Sequence, residues 1–452
     1  MKLIEYILLC TTILGWILVL WSGSQLRPLR ARIIVAILLV TLLLHIFIEN
    51  WRLAMIPVYL FSISLMIYSL FKKSKLTSCP PKRIKTILLS FLSLLAGMLC
   101  WGIASALPLF QFTKPSGPYS VGVMDYTLTD PDRKFANGAH RQLNVRIWYP
   151  ASDEGTISAT YIPQADLWAK VIRQEYGVFW SLLLNSYRHL ELPAQYAAPF
   201  YKKSGSLDKL PVVFYLHGNQ LGAGFTSTFQ ALELASQGYI VIALEHPGTA
   251  FLSVFDEKSY ITFTQAFKGL PDNFNAHNTA SLSIIREMQA DVQFVLDYLQ
   301  HIEDNEPNSP FSRVMDFNRI ALIGHSFGGA AAAHILTNTS FAKVAINLDG
   351  YLYGEYPDKA LEETQLKPLL ILNGGLEIKG LEETMTGLEK ERIIRHRLLG
   401  KEGLEVTLPE AGHLSFTDIP LYSPLLKPLA PDIREQHRLI NEHTLKFLEQ
   451  HL

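Results

Sequence analysis

The chain has 452 residues, 49% of them hydrophobic, with 40 basic against 41 acidic side chains. That length provides for two or three folding units, and a net charge near zero excludes the basic footprint of a nucleic-acid binder. All three cysteines, Cys10, Cys79 and Cys100, precede residue 112, so the polar remainder holds neither a disulfide framework nor a cysteine-based zinc site.

The apolar residues are concentrated before about residue 112. Four runs, about 3–21, 31–49, 53–71 and 86–107, consist almost entirely of Leu, Ile, Val, Phe, Trp and small residues. Each is long enough to cross roughly 30 Å of hydrocarbon as a helix. Helices are expected because lipid offers backbone groups no hydrogen-bond partner. Lys2 before the first run and Ser22-Gly23-Ser24 after it resemble a signal peptide. Its apolar core is longer than the roughly 7–15 residues of such a signal, so it reads as a span. Arg27, Arg30 and Arg32 lie in the first loop; Lys72, Lys73, Lys75, Lys82, Arg83 and Lys85 lie in the third. The opposite side has only Lys2, Arg52 and Lys114. The positive-inside rule therefore places loops one and three in the cytoplasm, and both termini and the polar part outside. Glu5, His45 and Glu49 fall near span ends and no charge falls at a span centre. Intramembrane charges usually mark ion paths, so this region (1–112) reads as an anchor, with His45 as a hydrogen-bonding residue.

The polar part, 113–452, alternates strands and helices. Residues 144–149 alternate and stop at Pro150, as a strand does. Residues 211–216 and 239–244 are short continuous apolar runs, the mark of strands buried on both faces. Between them a helix at 227–237 is closed by Gly238. An amphipathic helix follows at 281–299, with Ile284, Met288, Val292, Val295 and Leu299 on one stripe. The order continues with strand 319–323, helix 327–336, strands 343–348, 368–372 and 404–408, and a last helix at 435–448. Such alternation predicts a mostly parallel sheet covered on both faces, with chemistry at the carboxyl ends of its strands. The apolar segment 178–184, inside an insertion between Tyr161 and Tyr201, reads as a lid, a membrane-facing lip, or a helix packed on the sheet.

Gly324-His325-Ser326-Phe327-Gly328-Gly329 follows the strand at 319–323 and opens a helix of small residues. This is the pattern of a nucleophile elbow, a strained strand-to-helix turn in which flanking glycines avoid collision. A serine hydroxyl needs a base to take its proton. His334, His396, His437, His443 and His451 fall on helices, whereas His413 falls in a turn just past the strand at 404–408 and is the expected base. Two carboxylates at strand ends are candidates for its partner, Asp349 and Glu377, with Asp349 favoured. The turn His217-Gly218-Asn219-Gln220 after the strand at 211–216 supplies a second oxyanion donor, so the expected pair is the backbone N–H of Asn219 and of Phe327.

These segments resemble the platelet-activating factor acetylhydrolases, serine lipases of the α/β-hydrolase fold. The resemblance rests on residues 319–329, on Ile346-Asn-Leu-Asp349, and on His413 with Phe416 and Asp418. It extends to Leu216-His-Gly218, residues 234–246 and Val145-Arg-Ile-Trp-Tyr-Pro150. It spans roughly 119–452 and leaves the apolar region outside. It implies an α/β-hydrolase fold, calcium-independent ester hydrolysis with no metal or cofactor, and Asp349 rather than Glu377 as the acid. Asn219 departs from the apolar residue expected there. The expected protein is a membrane-anchored ester hydrolase acting on lipid esters. A peptidase or thioesterase on the same triad is an alternative that substrate profiling separates. A silent receptor with a hydrolase fold is another, and a fluorophosphonate label distinguishes it.

Overall fold

The computed structural model describes residues 1–22, 28–71, 83–152, 155, 157–201, 209–306, 309–358, 366–376 and 387–452. Arg27, Lys72, Lys73, Lys75, Lys82 and Glu377 lie outside the described residues. By its contacts the chain divides into two compact units. One comprises 1–110, 172–188 and 422–425; the other comprises 111–171, 189–421 and 426–452.

In the first unit the apolar runs form α1 (Leu3–Trp21), α2 (Pro28–Leu44), α3 (Ile56–Phe71) and α4 (Arg83–Ala106). With the short turns His45–Glu49 and Leu53–Met55 they give four helices long and apolar enough to cross a membrane. Their interior combines apolar side chains such as Leu8, Val19 and Leu65 with small and hydroxylated ones. Thr12, Ser62, Ser69, Ser93 and Ala104 are buried, while Leu14, Leu18, Ile37, Leu92 and Leu99 face outward. Small and hydroxylated contacts are what lipid favours, since apolar side chains gain nothing by leaving it. Thr12 and Ser62 hydroxyls meet at 2.6 Å. Near the helix ends Arg52 holds Glu5 bidentately at 2.5 and 2.8 Å and donates to the Leu107 carbonyl at 2.6 Å. His45 bonds Tyr59 of α3 at 2.7 Å and Glu49 at 3.1 Å, the hydrogen-bonding role expected of it.

The insertion forms α5 (Ala165–Glu175) and α6 (Val178–Asn185). α6 groups with the spans: Ser186 Oγ accepts the Leu53 N–H at 3.1 Å, and Tyr187 packs on Tyr422. Ser423 Oγ in turn donates to the Ala106 carbonyl at 2.5 Å.

The second unit is built on a ten-stranded sheet. Its strands in chain order are β1 (Ser120–Lys134), β2 (His140–Ala151), β3 (Ser158–Thr160), β4 (Glu191–Tyr196), β5 (Leu210–Leu216), β6 (Ile240–Glu245), and, outside the main sheet, β7 (Leu252–Val254) and β8 (Tyr260–Thr262). Then follow β9 (Met315–His325), β10 (Val344–Leu348), β11 (Leu369–Gly374) and β12 (Leu404–Leu408). The helices are α7 (Thr228–Ser236), α8 (Phe274–Asn305), α9 (Phe327–Asn338), α10 (Glu389–Leu399) and α11 (Ile433–His451).

The spatial order is β12-β11-β10-β9-β5-β6-β2-β1-β4-β3. From β12 to β6 all neighbours are parallel; β2 joins β6 and β1 antiparallel. After β5 the chain winds one way to β6, then α8 carries it back across β5 to β9, and it continues outward to β12. The reversal falls between β5 and β9, which is where an open α/β sheet forms its crevice. Val212, Phe214, Ile240, Ile242, Ile320 and Leu322 are fully buried, as strands covered on both faces require.

Candidate active site

β9 runs out at His325, and Ser326 takes φ 54° and ψ −120° before α9 begins. A non-glycine residue in this region is strained and persists only where surroundings over-determine it. Here the Ser326 N–H is bound to the Leu348 carbonyl at the end of β10, 2.8 Å away. The flanking glycines are obligatory on distance. A Cβ on Gly324 would lie 2.0 Å from the Gly328 carbonyl oxygen, and one on Gly328 would lie 2.3 Å from that of Leu216. Those contacts bring the N-terminus of α9 against the end of β5.

One strand over, Asp349 follows β10 and also has a positive φ, 56°. Its N–H is bound to the Leu372 carbonyl at 2.8 Å. Asp349 Oδ1 accepts the Gly374 N–H at 2.7 Å, and Oδ2 lies 2.6 Å from His413 Nδ1. Burial works to raise this carboxyl; the hydrogen bond and charge of His413, with the Gly374 N–H, outweigh it and hold it below the usual carboxylate range. An ionised carboxylate only accepts, so His413 Nδ1 is the donor in this pair, and in the neutral ring Nε2 is the nitrogen with the lone pair. Ser326 and His413 are not hydrogen-bonded to each other in this structure, and Ser326 Oγ has no hydrogen-bond partner among the described residues.

His413 sits on a single 3-10 turn (His413–Phe416) past β12, and three side chains pin that turn. His325 Nε2–H donates to the His413 carbonyl at 3.0 Å, and burial, with His413 nearby, pushes its pKa down to about 3, so it stays neutral. Asp418 accepts the N–H of Thr228 and Phe229 at the start of α7, at 2.7 and 3.1 Å. His437 Nε2–H donates to the Thr417 carbonyl at 3.0 Å. None of these three was assigned a task from sequence. Two of them were visible only as parts of larger patterns: His325 inside the elbow and Asp418 beside His413.

The turn after β5 completes the arrangement. A Cβ on Gly218 would stand 3.3 Å from Ser326 Cβ and 2.9 Å from His325 Nδ1. No side chain fits between this turn and the serine. Neither the Asn219 N–H nor the Phe327 N–H has a partner among the described residues. The remaining histidines weighed as bases lie elsewhere. His334 is buried in α9 and accepts the Glu355 N–H at 3.1 Å, His396 is on α10, and His443 and His451 are on α11.

A doubly wound, mostly parallel sheet with a serine at such an elbow defines an α/β-hydrolase. Residues 105–452 match the family model described as platelet-activating factor acetylhydrolase, isoform II, and the chain belongs to that family. It is similar to the platelet-activating factor acetylhydrolase of Cavia porcellus, 24% identical over 375 residues, covering 75% of this chain and 77% of that one. It is likewise similar to that of Gallus gallus, 25% identical over 397 residues, covering 76% and 84%. In fold it is similar to a ferulic acid esterase from Streptomyces cinnamoneus, with a TM-score of 0.59, 23% identity, and coverage of 76% of this chain and 94% of the other. The chain is a carboxylic ester hydrolase.

Proposed function

We propose that this protein is a membrane-anchored serine hydrolase that cleaves short acyl esters of lipids. In this reading Ser326 is the nucleophile, His413 the base and Asp349 the acid that orients it. The observation that carries it is the His413–Asp349 pair, formed by residues 64 positions apart. Both follow strands on the same side of the chain reversal as the strained Ser326.

Ser326 Oγ attacks the acyl carbonyl carbon as His413 Nε2 takes its proton; such hydrogen bonds often tighten only when substrate is bound. The carbonyl oxygen becomes an oxyanion held by the N–H groups of Asn219 and Phe327. Collapse breaks the ester bond, and His413 returns the proton to the departing alcohol. Water then attacks acyl-Ser326, with His413 again accepting the proton; collapse breaks the acyl–Oγ bond, His413 returns the proton to Ser326 Oγ, and the carboxylic acid leaves. Asp349 stabilises the imidazolium at each stage without taking its proton. The relatives' name, acetylhydrolase, supports a short acyl group. Residues 1–112 act as the anchor, and residues 113–452 carry the chemistry on the extracytoplasmic side.

The test is turnover of glycerophospholipid and simple esters of graded acyl length by the full chain in detergent, with fluorophosphonate labelling alongside. Short acyl esters turn over fastest, and the label attaches at Ser326. Ser326→Ala abolishes labelling and lowers turnover by several orders of magnitude, because members of such a triad act as a unit. A folded Ser326→Ala protein that retains a tenth of the ester hydrolysis overturns the assignment.

A further inference from the structure

We infer that His217, whose hydrogen bonds go to the Gly218 carbonyl and the His246 N–H, is the positioning residue that aims the Asn219 N–H as an oxyanion donor. The inference rests on the reading of Ser326 and Asn219 given above.

His217 is the first residue after β5 and is buried. Its Nε2 lies 2.9 Å from the backbone N–H of His246, which can only donate, so Nε2 carries the lone pair. Burial pushes the ring's pKa down to about 3, aided by the neighbouring His246, so the ring is neutral at working pH. Its single proton is then on Nδ1, which donates to the Gly218 carbonyl at 2.9 Å. Both nitrogens are engaged, and the tautomer is fixed by a backbone group that cannot titrate.

The Gly218 carbonyl and the Asn219 N–H belong to one peptide unit. That unit is planar and trans, so its C=O and N–H point in opposite directions. Holding the oxygen towards the His217 ring therefore turns the N–H away from it. Gly218 is also the residue whose missing Cβ lets the turn approach Ser326. The turn beyond is held by Gln220 N–H on the Thr249 carbonyl and Leu221 N–H on that of Asn219, at 2.9 and 2.8 Å, so the bond from His217 is the one that fixes the Gly218–Asn219 peptide itself among the described residues.

The support behind His217 is stiff. His246, at the end of β6, has its Nδ1 2.9 Å from Asp291 Oδ2. Asp291 is fully buried on α8 and takes both arms of Arg141 at 2.7 Å. Burial would raise that carboxyl, and the Arg141 and His246 hydrogen bonds hold it well below the usual range. A preorganised donor is one that needs no reorientation when charge appears, and this chain of bonds supplies the preorganisation.

Two substitutions separate aiming from packing. His217→Asn places an amide N–H near the position of Nδ1, keeps the bond to Gly218 and loses the one from His246. His217→Gln places an amide oxygen near Nε2, keeps the bond from His246 and loses Gly218. Each removes one buried hydrogen bond, so a purely structural role affects both alike. Removal of one oxyanion donor costs about 10²–10³ in kcat, and a misaimed donor falls at or below the lower end. The Gln variant is expected to lose roughly 30- to 100-fold in kcat, and the Asn variant less than about fivefold, with KM within about threefold in both. Affinity for a trifluoromethyl ketone, whose adduct with Ser326 places an oxyanion in the same hole, falls in parallel with kcat. An Asn variant as impaired as the Gln variant, or a Gln variant keeping a third of wild-type turnover, overturns the role of His217. Wild-type protein that takes no fluorophosphonate at Ser326 overturns the reading of the site itself; labelled wild type with two equally impaired variants overturns only the positioning.

Discussion

Asp349→Asn is the sharpest test of how the His413 pair works, because the structure fixes which way the new amide turns. Asp349 Oδ1 accepts the Gly374 N–H at 2.7 Å while Oδ2 faces His413 Nδ1 at 2.6 Å. An asparagine has one oxygen and one NH₂ for these two places. With the oxygen on Gly374, the NH₂ confronts Nδ1–H, and His413 is driven to the tautomer with its proton on Nε2. That tautomer cannot accept the Ser326 proton. With the amide rotated, NH₂ meets the Gly374 N–H, and a half-buried pair of donors is left opposed, which costs about 1–3 kcal/mol. The first arrangement therefore prevails, and the expected loss is about 10⁴ in kcat, or roughly 5 kcal/mol of transition-state stabilisation. The measurement is initial rate on an activated acetate ester at neutral pH, with circular dichroism or thermal unfolding to confirm the fold. Glu377→Gln, measured beside it, changes the rate by less than about tenfold. An Asp349→Asn protein that keeps more than about 1% of wild-type kcat, or a Glu377→Gln protein with the larger loss, refutes the reasoning. In the second case the acid comes one strand later.

Two further outcomes are expected. Burial pushes Glu245, at the end of β6, up to about 7 from 4.5, against hydrogen bonds from Asn144 and Gly224. The folded protein thus holds a proton that the unfolded chain releases, and this contribution to stability is lost as pH rises from about 4.5 to about 7. Glu245→Gln removes the effect, so its unfolding midpoint relative to wild type rises across that window; a difference independent of pH would contradict the burial argument. Protease added to intact cells stripped of any outer barrier is expected to digest residues 113–452; full protection until lysis places that part in the cytoplasm.

What could be read from sequence follows from how local each signal is. β5 and β6 were legible because both faces are buried and their residues, apart from Glu245 at the end of β6, form continuous apolar runs that leave no competing period. β1 was not, because its far half reads Thr127-Leu-Thr-Asp-Pro-Asp-Arg-Lys134, a turn composition that forms a strand here by pairing with β2. α8 was seen from Ser281 but starts at Phe274, because residues 274–280 carry no apolar stripe. Its start signal was present in Asn273, whose side chain accepts the Ala276 N–H at 2.9 Å. The elbow announced itself through its glycines. The second carboxylate, Glu377, lies outside the described residues, so geometry speaks here only for Asp349. The tasks of His217 and His325 were illegible, since each depends on a backbone group 29 or 88 residues away.

Ser326 and Asp349 share a device that bears on how these experiments are read. Each is the residue just past a parallel strand, each has a positive φ, and each sends its N–H to a carbonyl of the next strand, Ser326 to Leu348 and Asp349 to Leu372, both at 2.8 Å. Strain at such a residue costs of order 1–3 kcal/mol. At Ser326 and Asp349 it is offset by a backbone hydrogen bond that any side chain leaves in place. The sheet edge is therefore held by main chain, and the side chains at 326 and 349 are free to be chosen for chemistry. Alanine at 326 and asparagine at 349 inherit the same strain and the same bond as the residues they replace. A loss of turnover in either variant then measures the missing hydroxyl or the wrong tautomer, and a loss of fold in either would mean that the main-chain account of this edge is mistaken.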